Sequence, residues 1–167
     1  MAILGDGSGA NIRDCTIADN TGDGIFRRAY PLDVEHATTY AVPMADLDSD
    51  GDIDIVVGND REPNVVLLND GNGHFSSSAT VGHPHRPTRS VALADLNGDR
   101  HIDVIVTNRG APNGIYLNDG HGRFPEERSF GRGDDSTISV GVGDVDEDGD
   151  NDLVLANRDG QANSVLL

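Results

Sequence analysis

The chain lacks tryptophan, has one cysteine and is poor in aromatic residues. Of its 167 residues, 4% are aromatic, and Cys15 is the one cysteine. A single cysteine excludes an internal disulfide framework, and we expect Cys15 to be a half-buried strand residue. No apolar run reaches the length of a transmembrane helix, and no long apolar stripe has the period of an amphipathic helix. The sequence therefore predicts neither a helical protein nor a membrane-spanning one.

Basic residues are also scarce. The chain has 12 Lys and Arg against 29 Asp and Glu, which gives a formal net charge of −17. Nucleic acid is not expected as a partner, because nothing basic is clustered to meet phosphates. Glycine, by contrast, is abundant, with 21 residues. Together with short β-branched runs, this composition predicts an all-β chain with many tight turns.

Three acidic nine-residue loops recur with a period of 49 residues. They read D-L-D-S-D-G-D-I-D from Asp46, D-L-N-G-D-R-H-I-D from Asp95 and D-V-D-E-D-G-D-N-D from Asp144. In a tightly curled loop, side chains at positions 1, 3 and 5 converge, and a carbonyl at position 7 and a carboxylate at position 9 extend the shell. Calcium takes six to eight such oxygens. We therefore predict about three Ca²⁺ per chain, one in each loop.

The predicted metal ligands act through side chains or, at position 7, through the backbone carbonyl. They are Asp46, Asp48, Asp50, Asp52, Asp54, Asp95, Asn97, Asp99, His101, Asp103, Asp144, Asp146, Asp148, Asp150 and Asp152. Only the carbonyl of His101 is needed, so its side chain is expected to face solvent. Calcium loops of moderate affinity suit the calcium concentration outside cells, and we therefore expect an extracellular or cell-surface protein.

The loops differ from an EF-hand at position 12. An EF-hand needs a bidentate Glu there, whereas this chain has Val57, Val106 and Leu155. These residues belong to β-branched, apolar runs, which indicate strands. Each loop is therefore predicted to join two strands.

The middle loop is predicted to bind calcium most weakly. Asn97 replaces a carboxylate with a neutral ligand, and Arg100 stands where the other loops have Gly51 and Gly149. If the backbone at Arg100 has a positive φ, the substitution of glycine costs on the order of 1 kcal/mol.

The 49-residue period extends beyond the loops and predicts four strands in each repeat. A small-sided inner strand, a strand after the loop and a third strand are followed by an outer strand carrying Phe75 or Phe124. Four strands in a unit of this length are typical of a propeller blade. The predicted blades cover about residues 38–87, 88–136 and 137–167, the last completed by an outer strand from near residues 20–30.

Residues 1–25 fit the repeat less well. Their C-T-I-A-D segment, residues 15–19, takes the place of a third strand before Phe26. The same stretch is also typical of a rung of a parallel β-helix. We treat residues 1–25 as a strand segment of uncertain pairing.

The combined pattern resembles a known family. D-x-D-x-D-G-x-x-D, an apolar strand and then L-N-D-G-x-G-x-F resemble FG-GAP/VCBS-type repeats over about residues 20–167. That family includes the calcium-binding blades of the integrin α-subunit propeller. The resemblance implies a non-enzymatic role in adhesion or ligand presentation without fixing a cell-surface or glycan ligand. Arg100 and Asn151 depart from the family pattern.

Two strand edges are left without partners by this division into blades. Unpaired edges invite strand addition. The chain is therefore expected to be cut from a longer propeller, to close a ring from several copies, or to donate its N-terminal strand to the last blade of the next copy. Head-to-tail self-association is the version that we favour.

Other motifs give weaker hypotheses. Arg132-Gly133-Asp134 is an RGD tripeptide that an integrin could engage if exposed, and His83 and His85, with His74 nearby, could hold a transition metal. No nucleophile is placed beside an oriented base. The sequence thus predicts a calcium-binding structural or adhesive protein; the alternatives are a carbohydrate-binding module, which the low aromatic content disfavours, and a polysaccharide-active enzyme.

Overall fold

The computed structural model describes residue 32 and residues 37–167. The predictions for Cys15, for Phe26, for the strand near residues 20–30 and for a β-helix rung lie outside the described residues. Within them, the chain forms twelve β-strands. The described part contains no helix that is long and apolar enough to cross a membrane.

The strands form three antiparallel sheets in chain order. The first contains β1 (Thr39–Ala41), β2 (Met44–Ala45), β3 (Asp54–Asn59), β4 (Asn64–Asn69) and β5 (Phe75–Val81). The second contains β6 (Thr88–Ala94), β7 (Asp103–Asn108), β8 (Asn113–Leu117) and β9 (Glu126–Phe130). The third contains β10 (Thr137–Gly143), β11 (Asp152–Asn157) and β12 (Ser164–Leu166).

These sheets confirm the prediction of an all-β, blade-like repeat. Each inner strand pairs with the strand after the acidic loop, and a break in register occurs at the same repeat position near its start. The central pairs are also equivalent, because Val56 pairs with Val66, Ile105 with Ile115 and Val154 with Val165. The described sheets do not close into a ring.

Two details of the strand prediction are wrong. The first inner strand, predicted over residues 41–45, is not continuous, because Pro43 lacks an N–H group for the ladder and separates β1 from β2. The carbonyl of Pro43 still accepts the N–H of Val56 at 3.0 Å. Phe124 does not lie in the outer strand, since Pro125 follows it and β9 begins at Glu126. Phe124 instead packs between the first two sheets.

The sheets stack face to face through apolar side chains. Between the first and second sheets, Val56 and Val66 pack with Val104 and Val106, and all four are fully buried. Between the second and third, Ile105 packs with Leu153 and Leu155. Alternation along each central strand explains this arrangement, since successive side chains point to opposite faces. Strand β7 of the second sheet therefore contributes to both interfaces.

Candidate metal centre

Each acidic loop connects an inner strand to the strand that follows it. Its last aspartate begins that strand and is buried, as in Asp54 and Asp103. The two oxygens of Asp54 accept the N–H groups of Leu47 at 2.7 Å and Asn69 at 2.8 Å. Asp103 repeats both bonds with Leu96 and Asn118. The position 9 carboxylate therefore ties its loop to the turn after the third strand.

All three loops use left-handed backbone at positions 4 and 6. The six residues are Ser49, Gly51, Gly98, Arg100, Glu147 and Gly149, with φ between 63° and 101°. Arg100 has a φ of 73°, so the condition attached to its expected cost is met. Position 4 was not anticipated, and in the middle loop it holds the glycine that position 6 lacks. Each loop thus contains one strained non-glycine residue, so backbone strain does not distinguish the middle loop from the others.

Two of the three loops bring carboxylates together. Asp46, Asp48 and Asp50 each offer an oxygen within 4.8 Å of the other two. The third loop forms such a group from positions 1, 3 and 9, which are Asp144, Asp146 and Asp152. Among the described residues the middle loop forms no such group of acidic or histidine side chains, and its position 3 is the amide of Asn97. Asp148 of the third loop lies outside its group.

One oxygen in the first loop has no partner. Asp46 Oδ2 accepts the N–H of Gly51 at 3.1 Å, but Oδ1 is inaccessible to water and accepts no hydrogen bond within the described residues. A buried carboxylate oxygen without a donor costs several kcal/mol unless a cation or proton compensates it. The donor set is all oxygen, which suits a hard cation such as Ca²⁺.

The pKa values of carboxyls at positions 3 and 5 also separate the flanking loops from the middle loop. Burial, and then the neighbouring Asp50 carboxylate, raise the pKa of Asp48. Burial and the Asp148 carboxylate raise the pKa of Asp146 in the same way. In the middle loop, the N–H of His101 and then the Asn97 amide lower the pKa of Asp99. At these positions, negative charge is crowded in the flanking loops and relieved by hydrogen bonds in the middle one. At position 9 the first and middle loops agree, because burial raises the pKa of both Asp54 and Asp103.

In the first two loops, the position 7 side chain lies over the outer turn of the same sheet. The Asp52 carboxylate is close to Gly71, where an added Cβ would lie 2.5 Å from Oδ2. The His101 ring lies against Gly120 in the same manner, and its Nδ1 is buried without a partner among the described residues. The prediction that the His101 side chain faces solvent is therefore wrong, because the glycine of the turn leaves room for the ring.

A second polar framework, at the other end of the sheets, was not predicted. In the second sheet, Thr88 Oγ1 donates to Asn108 Oδ1 at 3.2 Å, Asn108 Nδ2 donates to the Pro112 carbonyl at 2.7 Å, and the Asn108 N–H donates to Asn113 Oδ1 at 2.8 Å. The same bonds occur in the other two sheets. The members there are Thr39, Asn59 and Asn64, and Thr137, Asn157 and Asn163. The 49-residue spacing of Asn59, Asn108 and Asn157 is the signal that could have revealed it.

Asparagines also connect neighbouring loops. Asn118 Nδ2 donates to the Leu47 carbonyl of the first loop at 2.7 Å and to the Ile102 carbonyl of the second at 2.9 Å. Asn151, which departs from the family pattern, donates to the Asp95 carbonyl at 2.9 Å. The three loops are therefore linked in a line across the sheet stack.

The remaining candidate motifs are placed apart from the loops. Arg132 and Asp134 are exposed on the turn between β9 and β10, and the buried Asp135 carboxylate accepts the Arg132 N–H at 2.7 Å. The rings of His83 and His85 lie 6.3 Å apart. His74 is not with them, because its Nδ1 contacts Asp70 at 3.0 Å. No third ligand joins His83 and His85 within the described residues.

Comparison with known proteins gives one family. A search of curated proteins found no match to the chain. The family model described as FG-GAP-like repeat matches residues 46–106 and residues 95–155. The two matches overlap and together cover more than half of the 167 residues. Each begins at the first aspartate of one loop and runs through the next loop and its strand. This chain belongs to the FG-GAP-like repeat family.

Proposed function

We propose that this chain is a calcium-stabilised, non-enzymatic module with a structural or adhesive role outside the cell. The observation that carries the proposal is the convergence of Asp46, Asp48 and Asp50. One oxygen of Asp46 is also buried and has no donor among the described residues. A divalent cation would compensate that oxygen and join the two strands that the loop connects. The third loop offers a comparable set of oxygens.

Calcium fits the donor set better than magnesium. The first and third loops each offer several carboxylates, and Ca²⁺ accepts irregular shells of six to eight oxygens. Mg²⁺ requires a near-ideal octahedron and keeps its water. The extracellular assignment rests on the family, whose repeats are typical of extracellular proteins.

A structural or adhesive role is favoured over a lectin role by the placement of the aromatic side chains. Within residues 37–167, Tyr40 is the one aromatic residue exposed by more than half, at 52%. The guanidinium of Arg89 lies 4.3 Å from the centre of its ring. The face of the Tyr40 ring on which a sugar would stack is therefore already partly covered by the Arg89 guanidinium.

Calcium titration of the metal-free chain tests the proposal. We expect isothermal titration calorimetry to detect Ca²⁺ binding that Mg²⁺ at the same concentration does not reproduce. Asp50→Asn should remove binding at the first loop, because it neutralises one of three convergent carboxylates. Asp70→Asn, at an exposed aspartate of the neighbouring turn, is the control and should leave binding unchanged. Equal heats with and without the Asp50 carboxylate would contradict the proposal.

The proposed partner is a second copy of the chain, docked on the outer face of the third sheet. Val145, Val154 and Val165 are 53%, 40% and 54% exposed there. Their equivalents in the first sheet, Leu47, Val56 and Val66, are covered by the second sheet. A sheet from a second copy would continue the same stacking.

The oligomeric state tests this partner. Light scattering after size exclusion, with calcium present, should show association that Val154→Arg abolishes. Asn72→Arg, in the exposed turn before β5, is the matched control and should leave association intact. A monomer at high micromolar concentration would refute self-association without touching the calcium proposal.

A further inference from the structure

The middle loop matches the other two in backbone path but not in chemistry. Across the nine positions, the first loop carries five carboxylates, and the third carries six with Glu147. The middle loop carries three carboxylates together with the guanidinium of Arg100. Its charge is therefore far less negative, although all three loops have left-handed backbone at positions 4 and 6.

The middle loop also satisfies its own oxygens. Asp95 Oδ1 accepts the N–H of Gly98 at 2.8 Å, and Oδ2 accepts the N–H of Arg100 at 2.8 Å. In the first loop the equivalent Asp46 has one oxygen with no donor among the described residues. A cation at Asp95 would compete with hydrogen bonds that are already made, whereas at Asp46 it would supply a missing partner. Asp144 of the third loop resembles Asp95 in this respect, because its Oδ1 and Oδ2 accept the N–H groups of Asp148 at 3.1 Å and Gly149 at 3.0 Å. The third loop therefore differs from the middle one by its additional carboxylates and not by the hydrogen bonds of its first aspartate.

Asn97 places a donor where the other loops place an acceptor. Its Oδ1 accepts the Asp99 N–H at 3.1 Å, and its Nδ2 donates to Asp99 Oδ2 at 2.9 Å. These two bonds set the orientation of the amide, because the Asp99 N–H needs an acceptor and therefore faces Oδ1. The amide thus gives Asp99 Oδ2 a hydrogen-bond donor in the place of a cation. The equivalent carboxylates, Asp48 and Asp50, have no such amide donor between them.

We infer that the middle loop holds its shape without an ion, and that the chain binds two calcium ions, at the first and third loops. The Asn97 amide, with the charge of Arg100, does in the middle loop what the ion does in the others. This inference rests on the proposed calcium-binding function and refines it. It also explains why the middle loop can carry Arg100, whose charge would oppose a bound cation.

Counting bound ions tests the inference. Native mass spectrometry and calorimetry of the intact chain, titrated with Ca²⁺ alone, should give two ions per chain. Asp50→Asn should lower the count to one, whereas Asp99→Asn, the same change at the same position of the middle loop, should leave it at two. Asn97→Asp, Arg100→Gly and His101→Asp together give the middle loop the ligand set of the first, and this variant should bind three.

Other ion counts would overturn either the inference or the proposed function. Three ions on the unmodified chain, or one ion on the Asp99→Asn variant, would overturn the inference while leaving calcium binding in place. No ions at all would overturn the proposed function itself. A triple variant that folds by circular dichroism and still binds two ions would show that the donor set does not decide occupancy.

Discussion

The two ends of each sheet are stabilised by different polar chemistry. At the loop end, carboxylates converge and Asp46 keeps an oxygen without a donor among the described residues. At the opposite end, buried threonine and asparagine side chains such as Thr88 and Asn108 are satisfied by one another and by backbone. A neutral, saturated network needs no further partner. Under the proposed function, the first and third repeats therefore fold one end without a further partner and leave the loop end dependent on a cation, whereas the middle repeat needs no ion at either end.

Removing calcium should have the largest effect. A ligand at 100 times its Kd stabilises a fold by about 2.7 kcal/mol per site, so two sites would contribute about 5 kcal/mol. We expect a chelator to lower the urea midpoint accordingly. In hydrogen exchange, the Leu47 amide should lose more protection than the Asn59 amide. An equal loss of protection at the Leu47 and Asn59 amides would contradict the proposed difference between the two ends of the sheet.

Asn113→Ala should destabilise the threonine and asparagine network at the end of the sheets opposite the loops, with or without calcium. The change removes the acceptor of the Asn108 N–H and the donor to Thr137 Oγ1. Leaving such buried groups unpaired costs about 1–3 kcal/mol. Asn163→Ala removes the equivalent bond to the Asn157 N–H from an exposed site. This control should cost less, and a chelator-dependent loss in the Asn113 variant would contradict the separation of the two ends.

The link between loops should be broken by Asn118→Ala. Its amide joins the Leu47 and Ile102 carbonyls, and the expected cost is about 1–3 kcal/mol. The loss should be larger with calcium than with chelator, because the ion fixes the first loop. Asn69→Ala removes an amide that donates to the Ile53 carbonyl and accepts the Gly71 and Gly73 N–H groups, all within its own repeat. Thermal unfolding of both variants should rank Asn118 above Asn69.

The smallest effect is expected for Arg109→Ala. Its guanidinium meets the Asp159 carboxylate at 3.1 Å, and both side chains are 42% exposed. Exposed ion pairs contribute little and are screened by salt. We expect the thermal midpoint to stay within experimental error at high and low salt. A clear, salt-dependent decrease would show that charge pairs, and not the asparagine network alone, stabilise this end.

Local patterns predicted most of the fold. Alternation and β-branched runs located the strands, and the 49-residue period set the three sheets, because both depend on nearest neighbours along the chain. The boundaries failed where proline intervened, at Pro43 and Pro125. The asparagine framework was missed because its partners lie up to 24 residues apart, as in Asn113 and Thr137. Such contacts follow from sheet pairing and stacking, not from local spacing.

The amino-acid sequence was enough to establish that three loops share one backbone path, since glycine, aspartate and their spacing are local properties. The differences among these loops emerged from the folded arrangement alone. Folding brought Asp46, Asp48 and Asp50 together, paired Asn97 with Asp99, and set Asn118 between two loops. Ligand convergence and hydrogen-bond satisfaction could not be read from spacing, because both depend on which groups meet in space.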